Sequence, residues 1–205
     1  PSDNTVTAAK LNNDIISGQT ELASEPADTD EFLVSDAGTI KRIDYSLIKG
    51  GGITQADQWR LSANITSNTD PVSSNLERVD DASFGYIGSG MSVSSGVWTF
   101  PSTGIYQIFT TMKGNSSSST DTFKLECYAT TDNGSNYDQI GECAIGSESS
   151  NSSGQTATLV NFIDVTDTSN VKVKFVASSI NAGTTIEGSS TGNKTAFTFI
   201  RLGDT

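Results

Sequence analysis

The sequence contains no histidine and few cysteines, prolines or methionines: two, four and two, respectively, in 205 residues. Without histidine, Ser-His-Asp and Cys-His catalysis, histidine-ligated metal sites and histidine pH switches are all excluded. Basic residues are also scarce, with 12 Lys and Arg against 24 Asp and Glu and a net charge of −12. Nucleic-acid binding requires clustered Lys and Arg. We therefore expect neither nucleic acid nor an anionic membrane as a partner.

Long apolar segments are also missing from the sequence. No run approaches the roughly 18 residues that span a bilayer, so membrane insertion is not expected. The first residues show neither the basic nor the apolar segment of a signal peptide. Either such a peptide has been removed, or the protein is made in a cytosol. No cofactor motif is present, and we expect a protein that is not an enzyme and carries no cofactor.

Acidic residues occur in three small groups that raise the question of calcium binding. These groups are Asp28, Asp30 and Glu31; Asp80 and Asp81; and Asp164 and Asp167. Calcium prefers several oxygen ligands, but no loop here has the spacing of an EF-hand. Solvated turn residues are therefore favoured over ligands, and no metal site is expected.

The two cysteines flank a turn signal at Asn133-Gly134. If the hairpin is centred there, Cys127 faces residue 140 and Cys143 faces residue 124, so a bridge requires a bulge or a register shift. The apolar alternation around Cys127 indicates a buried face. Two buried free thiols are favoured, and a disulfide is the alternative.

Three successive glycines, residues 50–52, divide the chain. We predict an N-terminal arm (residues 1–49), a glycine linker and a head (residues 53–205). In the arm, residues 8–16 fit either a short helix or an extended segment, whereas 31–36 and 39–44 are predicted strands joined by a turn. An isolated hairpin is marginal in water. The arm is thus expected to need copies of itself or a partner, with an attachment surface formed by Phe32, Val34, Ile40 and Ile43.

The head shows β-strand patterns throughout and no helical period. The predicted strands lie near 58–66, 76–79, 83–88, 97–100, 104–113, 121–131, 136–145, 155–164, 170–178 and 194–202. In one of them, Val171, Val173 and Phe175 alternate with Lys172 and Lys174, so one face is buried and the other is in water. Two Ser-rich segments, 115–120 and 147–153, are expected to be mobile loops. The pattern predicts a β-sandwich or barrel.

The segment Gly96–Phe109, GVWTFPSTGIYQIF, resembles the family of trimeric jelly rolls that includes tumour necrosis factor and the globular heads of complement and collagen-like proteins. The closing segment Thr195–Leu202 looks like the last strand of those domains. The resemblance covers roughly residues 53–205. It implies an all-β protein in which a jelly-roll β-sandwich head follows a small N-terminal arm containing a β-hairpin.

Two strands of the head are apolar on both faces. The expected sandwich core comprises Trp98, Tyr106, Ile108, Phe197 and Phe199, and the opposite face carries Ile105, Gln107, Phe109, Ala196, Thr198 and Ile200. A monomeric sandwich needs only one apolar face per sheet, so the second face predicts an oligomer. The resemblance implies three subunits, with the second set of residues at the trimer interface.

The arm segment Glu25–Ile43, EPADTDEFLVSDAGTIKRI, is similar to segments of fibre and appendage proteins of tailed bacteriophages, where it precedes a distal head. This resemblance implies a homotrimeric fibre or capsid-decoration protein, made in the host cytoplasm and exposed on the particle exterior. Residues 1–49 would bind other virion structural proteins, and the head would attach to a host surface glycan or protein.

Two alternatives remain open at the level of the sequence. One is a secreted complement-like or lectin-like recognition module that belongs to no virus. The other, weaker alternative is a depolymerase, because paired carboxylates serve in glycoside hydrolysis.

Overall fold

A computed structural model describes residues 17–49, 51–116, 122–146 and 153–205. The chain divides into two compact units, Pro1–Gly51 and Gly52–Thr205, for which we keep the names arm and head. Residues 8–16 and most of the two Ser-rich segments lie outside the described residues, although Asn115 and Ser116 end one strand and Ser153 begins another. In the described ranges, no helix has the length and apolar character needed to cross a membrane.

The described residues of the arm contain a β-hairpin followed by one helical turn. Strands β1 (Glu31–Asp36) and β2 (Thr39–Asp44) pair in register, and helix α1 spans Tyr45–Ile48. Between the strands, Ala37 and Gly38 adopt φ values of 48° and 86°, a left-handed turn that glycine makes at little cost. None of residues 17–49 is buried. The hairpin therefore has no core of its own.

The head is an all-β jelly-roll sandwich. Its strands are β3 (Ala56–Leu61), β4 (Leu76–Arg78), β5 (Ser92–Ser94), β6 (Val97–Thr99), β7 (Gly104–Ser116), β8 (Thr122–Thr130), β9 (Asp138–Gly146), β10 (Ser153–Val165), β11 (Lys172–Ser178), β12 (Thr184–Ile186) and β13 (Ala196–Gly203). The larger sheet has the order β10-β7-β13-β3-β4, with β12 also paired to β7, and the smaller sheet has the order β5-β6-β11-β8-β9. All neighbouring strands are antiparallel.

The predicted strand at 83–88 is absent. That segment is a loop with a single bridge between Ile87 and Ala56, and Gly85 and Gly88 interrupt its apolar pattern. Conversely, β5 and β12 were not predicted. Each is three residues long.

The core of the sandwich is a cluster of aromatic rings around Trp98. Its ring centroid lies 5.1 Å from those of Trp59 and Phe199, 5.8 Å from that of Phe197 and 6.2 Å from that of Phe175. These separations are typical of favourable aromatic pairs. The five residues expected in the core are all at most 1% exposed.

The cysteines lie in the β8–β9 hairpin. Tyr128 pairs with Gln139 at the expected register, but a bulge after Cys127 shifts the remaining pairs by one, so Cys127 faces Gly141 and Cys143 faces Leu125. The predicted partners, residues 140 and 124, were therefore wrong by one position. Both thiols are buried and free, which confirms the favoured alternative. Burial raises the pKa of Cys127 to about 12 and that of Cys143 to about 11, so neither is an activated nucleophile.

The acidic pair Asp80 and Asp81 binds an arginine. Arg60 is 0% exposed and donates to Asp80 at 2.5 Å, to Asp81 at 2.8 Å and to Glu77 at 2.9 Å. It also donates to the carbonyl oxygen of Ser190. A buried guanidinium requires such partners, and this one joins β3 to β4 and to two loops.

Strand β7 passes close to β8 at Gly114, which leads to a test of the packing. A Cβ built on Gly114 would lie 2.4 Å from two ring atoms of Phe123 and 3.0 Å from Cδ1 of Ile145. We expect Gly114→Ala to reduce the free energy of unfolding by roughly 1–3 kcal/mol, the usual cost of overpacking a core. Urea denaturation at fixed protein concentration measures this.

Gly146→Ala is the matched control, because nothing lies within 4 Å of its added Cβ. Equal midpoints for Gly114→Ala and Gly146→Ala would contradict the described β7–β8 packing.

Candidate functional site

The outward face of the larger sheet carries two rows of neighbouring side chains. In the first row, Val160 on β10 faces Phe109 on β7, which faces Thr198 on β13. In the second row, Phe162 faces Gln107, which faces Ile200. We call these six residues, together with Ile105, the outer patch. Residues directly opposite in a sheet are close enough for their side chains to touch, so the rows form one continuous surface.

The outer patch exposes large apolar side chains to solvent. Phe162 is 65% exposed, Val160 is 46% exposed and Phe109 is 38% exposed. Ile105, Gln107, Thr198 and Ile200 are half-buried. Contiguous exposed apolar surface makes the outer patch a candidate interaction site.

The structure brings five of the six expected interface residues together on this patch: Ile105, Gln107, Phe109, Thr198 and Ile200. Ala196 is the exception, because it is only 6% exposed. It lies on the same side of β13 but pairs with Arg60, whose buried ionic cluster occupies that end of the face. Ala196 is thus covered by its own chain in the single subunit, and its place at a subunit interface stays a prediction.

A shallow cavity of about 210 Å³ adjoins the outer patch. It lies between Ile200 and Ala56 on the sheet and Phe84 and Gly85 in the loop between β4 and β5. In the same loop, Tyr86 and Ile87 are 49% and 48% exposed. The apolar surface therefore continues from the outer patch to the loop.

The loop is held against the sheet by Arg78. Its guanidinium lies 4.9 Å from the ring centroid of Trp59 and 4.8 Å from that of Tyr86. It also donates to the carboxylate of Asp57 at 3.0 Å and to the carbonyl oxygen of Met91 at 2.6 Å. These contacts combine a cation–π sandwich with a charge-assisted hydrogen bond. They tie the loop to β3 next to the cavity.

Several residues of this surface were not predicted as part of the site, among them Val160, Phe162 and Phe84. The segment Leu159–Ile163 is mostly apolar on both faces, and this was the available signal for Val160 and Phe162. Phe84 had no such signal, because its position depends on a loop.

In the arm, Phe32, Val34 and Ile43 share one face of the hairpin, whereas Ile40 lies on the other face with Leu33. The ring centroid of Phe32 is 6.1 Å from that of Tyr45. Phe32 and Val34 are 41% and 40% exposed, and Ile40 and Leu33 are 68% and 81% exposed. The expected attachment residues are thus distributed over both faces.

The fold of the head is that of TNF-like jelly rolls. Murine APRIL is 14% identical, with a TM-score of 0.52, and the match covers 72% of this chain and 98% of APRIL. Eiger TNF from S. frugiperda is 13% identical, with a TM-score of 0.55, and the match covers 75% of this chain and 96% of Eiger. At such identities the likeness shows the fold alone.

The PRD1 vertex protein P5 is also similar, at 20% identity and a TM-score of 0.45, over 74% of this chain and 99% of P5. No protein-family model matches the sequence, and no curated protein matches it significantly.

Proposed function

We propose that this chain is a non-enzymatic structural protein of a tailed-bacteriophage virion, a homotrimeric fibre or capsid-decoration protein. Its arm anchors to the particle, and its jelly-roll head is exposed for attachment to the host surface. The outer patch is the observation that supports the homotrimer in this proposal. The chain has a net charge of −12, yet Phe109, Val160 and Phe162 are exposed side by side. Burial against another subunit best explains this apolar surface.

A cyclic trimer joins two different surfaces of neighbouring subunits, and the head has two suitable ones. Phe162 projects from β10 as the most exposed aromatic residue of the outer patch. The cavity beside Ile200 and Phe84 lies across β7 and β13 from it. We place Phe162 of one subunit in this cavity of the next, with Phe109 toward the threefold axis. Burial of each such side chain is worth roughly 1.5–3 kcal/mol.

The arm supports a role in attachment to a larger assembly. A two-stranded hairpin without a core is marginal by itself, and the apolar residues on both of its faces are exposed. Trimerisation of the heads would bring three hairpins together. Their exposed apolar residues would then pack against one another or bind virion proteins. The resemblance of residues 25–43 to phage appendage segments favours the virion as that assembly.

Attachment through such a protein works by multivalency. Three heads per trimer and many trimers per particle convert weak single contacts into stable adhesion through effective concentration. The excess of acidic residues disfavours non-specific binding to nucleic acid.

Labelling of purified particles tests the proposed location. With a peptide tag after Thr205, we expect gold-labelled antibody on the exterior of intact particles, visible by electron microscopy. Untagged particles are the control. If the protein is abundant in the lysate but absent from purified particles, the virion role is wrong and a free recognition module is favoured.

A further inference from the structure

A second cavity, of about 460 Å³, lies on the outward face of the smaller sheet. Its floor includes Val97 and Thr99 of β6 and Lys172 of β11, which are neighbours in the sheet. Its wall includes Asn133 and Tyr137 from the turn between β8 and β9. The lining therefore combines an aromatic ring and an aliphatic side chain with a hydroxyl, an amide and an amine.

Lys172 differs from every other basic residue in the part of the chain that the structure describes. The other ten all lie within 4.0 Å of a carboxylate oxygen: Lys41, Arg42, Lys49, Arg60, Arg78, Lys113, Lys124, Lys174, Lys194 and Arg201. Lys172 instead donates to the neutral side-chain oxygen of Asn133. In a chain with twice as many acids as bases, the cavity thus holds an ammonium group that has no ionic partner among the described residues.

Hydrogen bonds to Asp132 hold together the turn that forms the wall of this cavity. Asp132 accepts from the backbone N–H of Asn136 at 2.9 Å and from the hydroxyl of Thr130 at 2.7 Å. These bonds lower the pKa of Asp132 to about 2, so it remains an acceptor at neutral pH.

Tyr137 is fixed by a cation–π contact. Its ring centroid lies 4.7 Å from Nζ of Lys174, and Asp70 pairs with that lysine at 2.7 Å. Burial raises the pKa of Tyr137, so the phenol stays neutral and can donate a hydrogen bond at neutral pH.

We infer that this cavity binds a sugar residue that carries a carboxylate, as in an acidic surface polysaccharide. The carboxylate would pair with Lys172, the C–H face of the ring would pack on Tyr137 and Val97, and the sugar hydroxyls would bond to Thr99 and Asn133. A small inorganic anion would leave the aromatic and aliphatic lining unused, and a neutral sugar would leave Lys172 without an ionic partner. This ligand class specifies what the head would bind in the attachment role proposed above, and the inference rests on that role.

Saturation-transfer NMR on the full chain tests this inference. The probes are glucuronic acid and N-acetylneuraminic acid, with glucose as the neutral comparison and inorganic phosphate as a competitor. We expect transfer to at least one acidic sugar, and affinity reduced about tenfold or more in Lys172→Gln, the scale of a lost charge-assisted hydrogen bond. Tyr137→Ala should reduce transfer to the ring protons.

Lys124→Gln is the matched control, because Lys124 projects from the same sheet face but is paired with Glu142. It should bind as the unmodified chain does. The inference would be overturned if Lys172→Gln left binding unaffected or if Lys124→Gln reduced it equally. It would also be overturned if glucose bound more strongly than the acidic sugars, or if phosphate displaced them as effectively as the sugars themselves do. So would no binding of either acidic sugar at millimolar concentration. Solution mass and particle labelling are measured separately, so failure here is distinguishable from failure of the proposed virion role.

Discussion

Phe109→Asp should convert the protein from a trimer into a monomer. Phe109 lies on the central strand of the outer patch, between Val160 and Thr198. In the proposed trimer each copy meets its two symmetry mates, so one substitution places three carboxylates together in a dry environment. Charges without partners are strongly unfavourable there. Sedimentation velocity at micromolar concentration should show the mass falling to that of one chain, 21.5 kDa.

The same variant should still fold, which separates assembly from stability. Phe109 is already 38% exposed in the single chain, so an aspartate there reaches water once the subunits separate. Circular dichroism should therefore retain the β-sheet signal.

Phe109→Leu, which keeps an apolar side chain, should remain trimeric. Ser92→Asp adds the same charge to an exposed position of the smaller sheet and should also remain trimeric. A Phe109→Asp protein that still sediments as a trimer with unchanged melting would mean that the two faces of β7 have been assigned the wrong way round.

Removal of the arm should abolish incorporation into particles while leaving the head folded. Every buried residue in the described ranges lies in the head, so a chain of residues 53–205 keeps the whole core. It lacks the hairpin that we assign to anchoring. Particles assembled with this shortened chain, tagged after Thr205, should carry no antibody label, whereas the tagged full chain should label them.

The shortened chain should show the circular dichroism spectrum and trimer mass of a folded head. If it aggregates or unfolds while the full chain is stable, then the boundary near Gly50–Gly52 does not separate independent units. If it is incorporated normally, then the arm is not the anchor.

Period-2 patterning was enough to predict much of the head. Alternation along β7 placed Tyr106 and Ile108 on one face and Gln107 and Phe109 on the other, because a strand directs successive side chains to opposite faces. The same pattern does not reveal what covers each face. Ala196 follows the alternation of β13 but is covered by its own chain, because its neighbour Arg60 collects three carboxylates from β4 and a following loop.

Features that depend on pairing between distant segments were not predictable from local pattern. The bulge after Cys127 shifts the hairpin register by one residue. The 83–88 segment carries the strand-forming residues Phe84, Tyr86 and Ile87, but Gly85 and Gly88 interrupt them, and the segment is a loop whose Tyr86 ring stacks on Arg78. The cavity at Lys172 likewise requires β6, β11 and a turn about 40 residues earlier in the chain.

The central claim is that the outer patch is buried by association of three chains, and the most direct test is the mass of the unmodified protein in solution. Static light scattering coupled to gel filtration should give about three times the 21.5 kDa of one chain. This mass should stay constant as the protein is diluted through the micromolar range. A mass of 21.5 kDa at all concentrations would leave Phe109, Val160 and Phe162 exposed to water and would contradict the account.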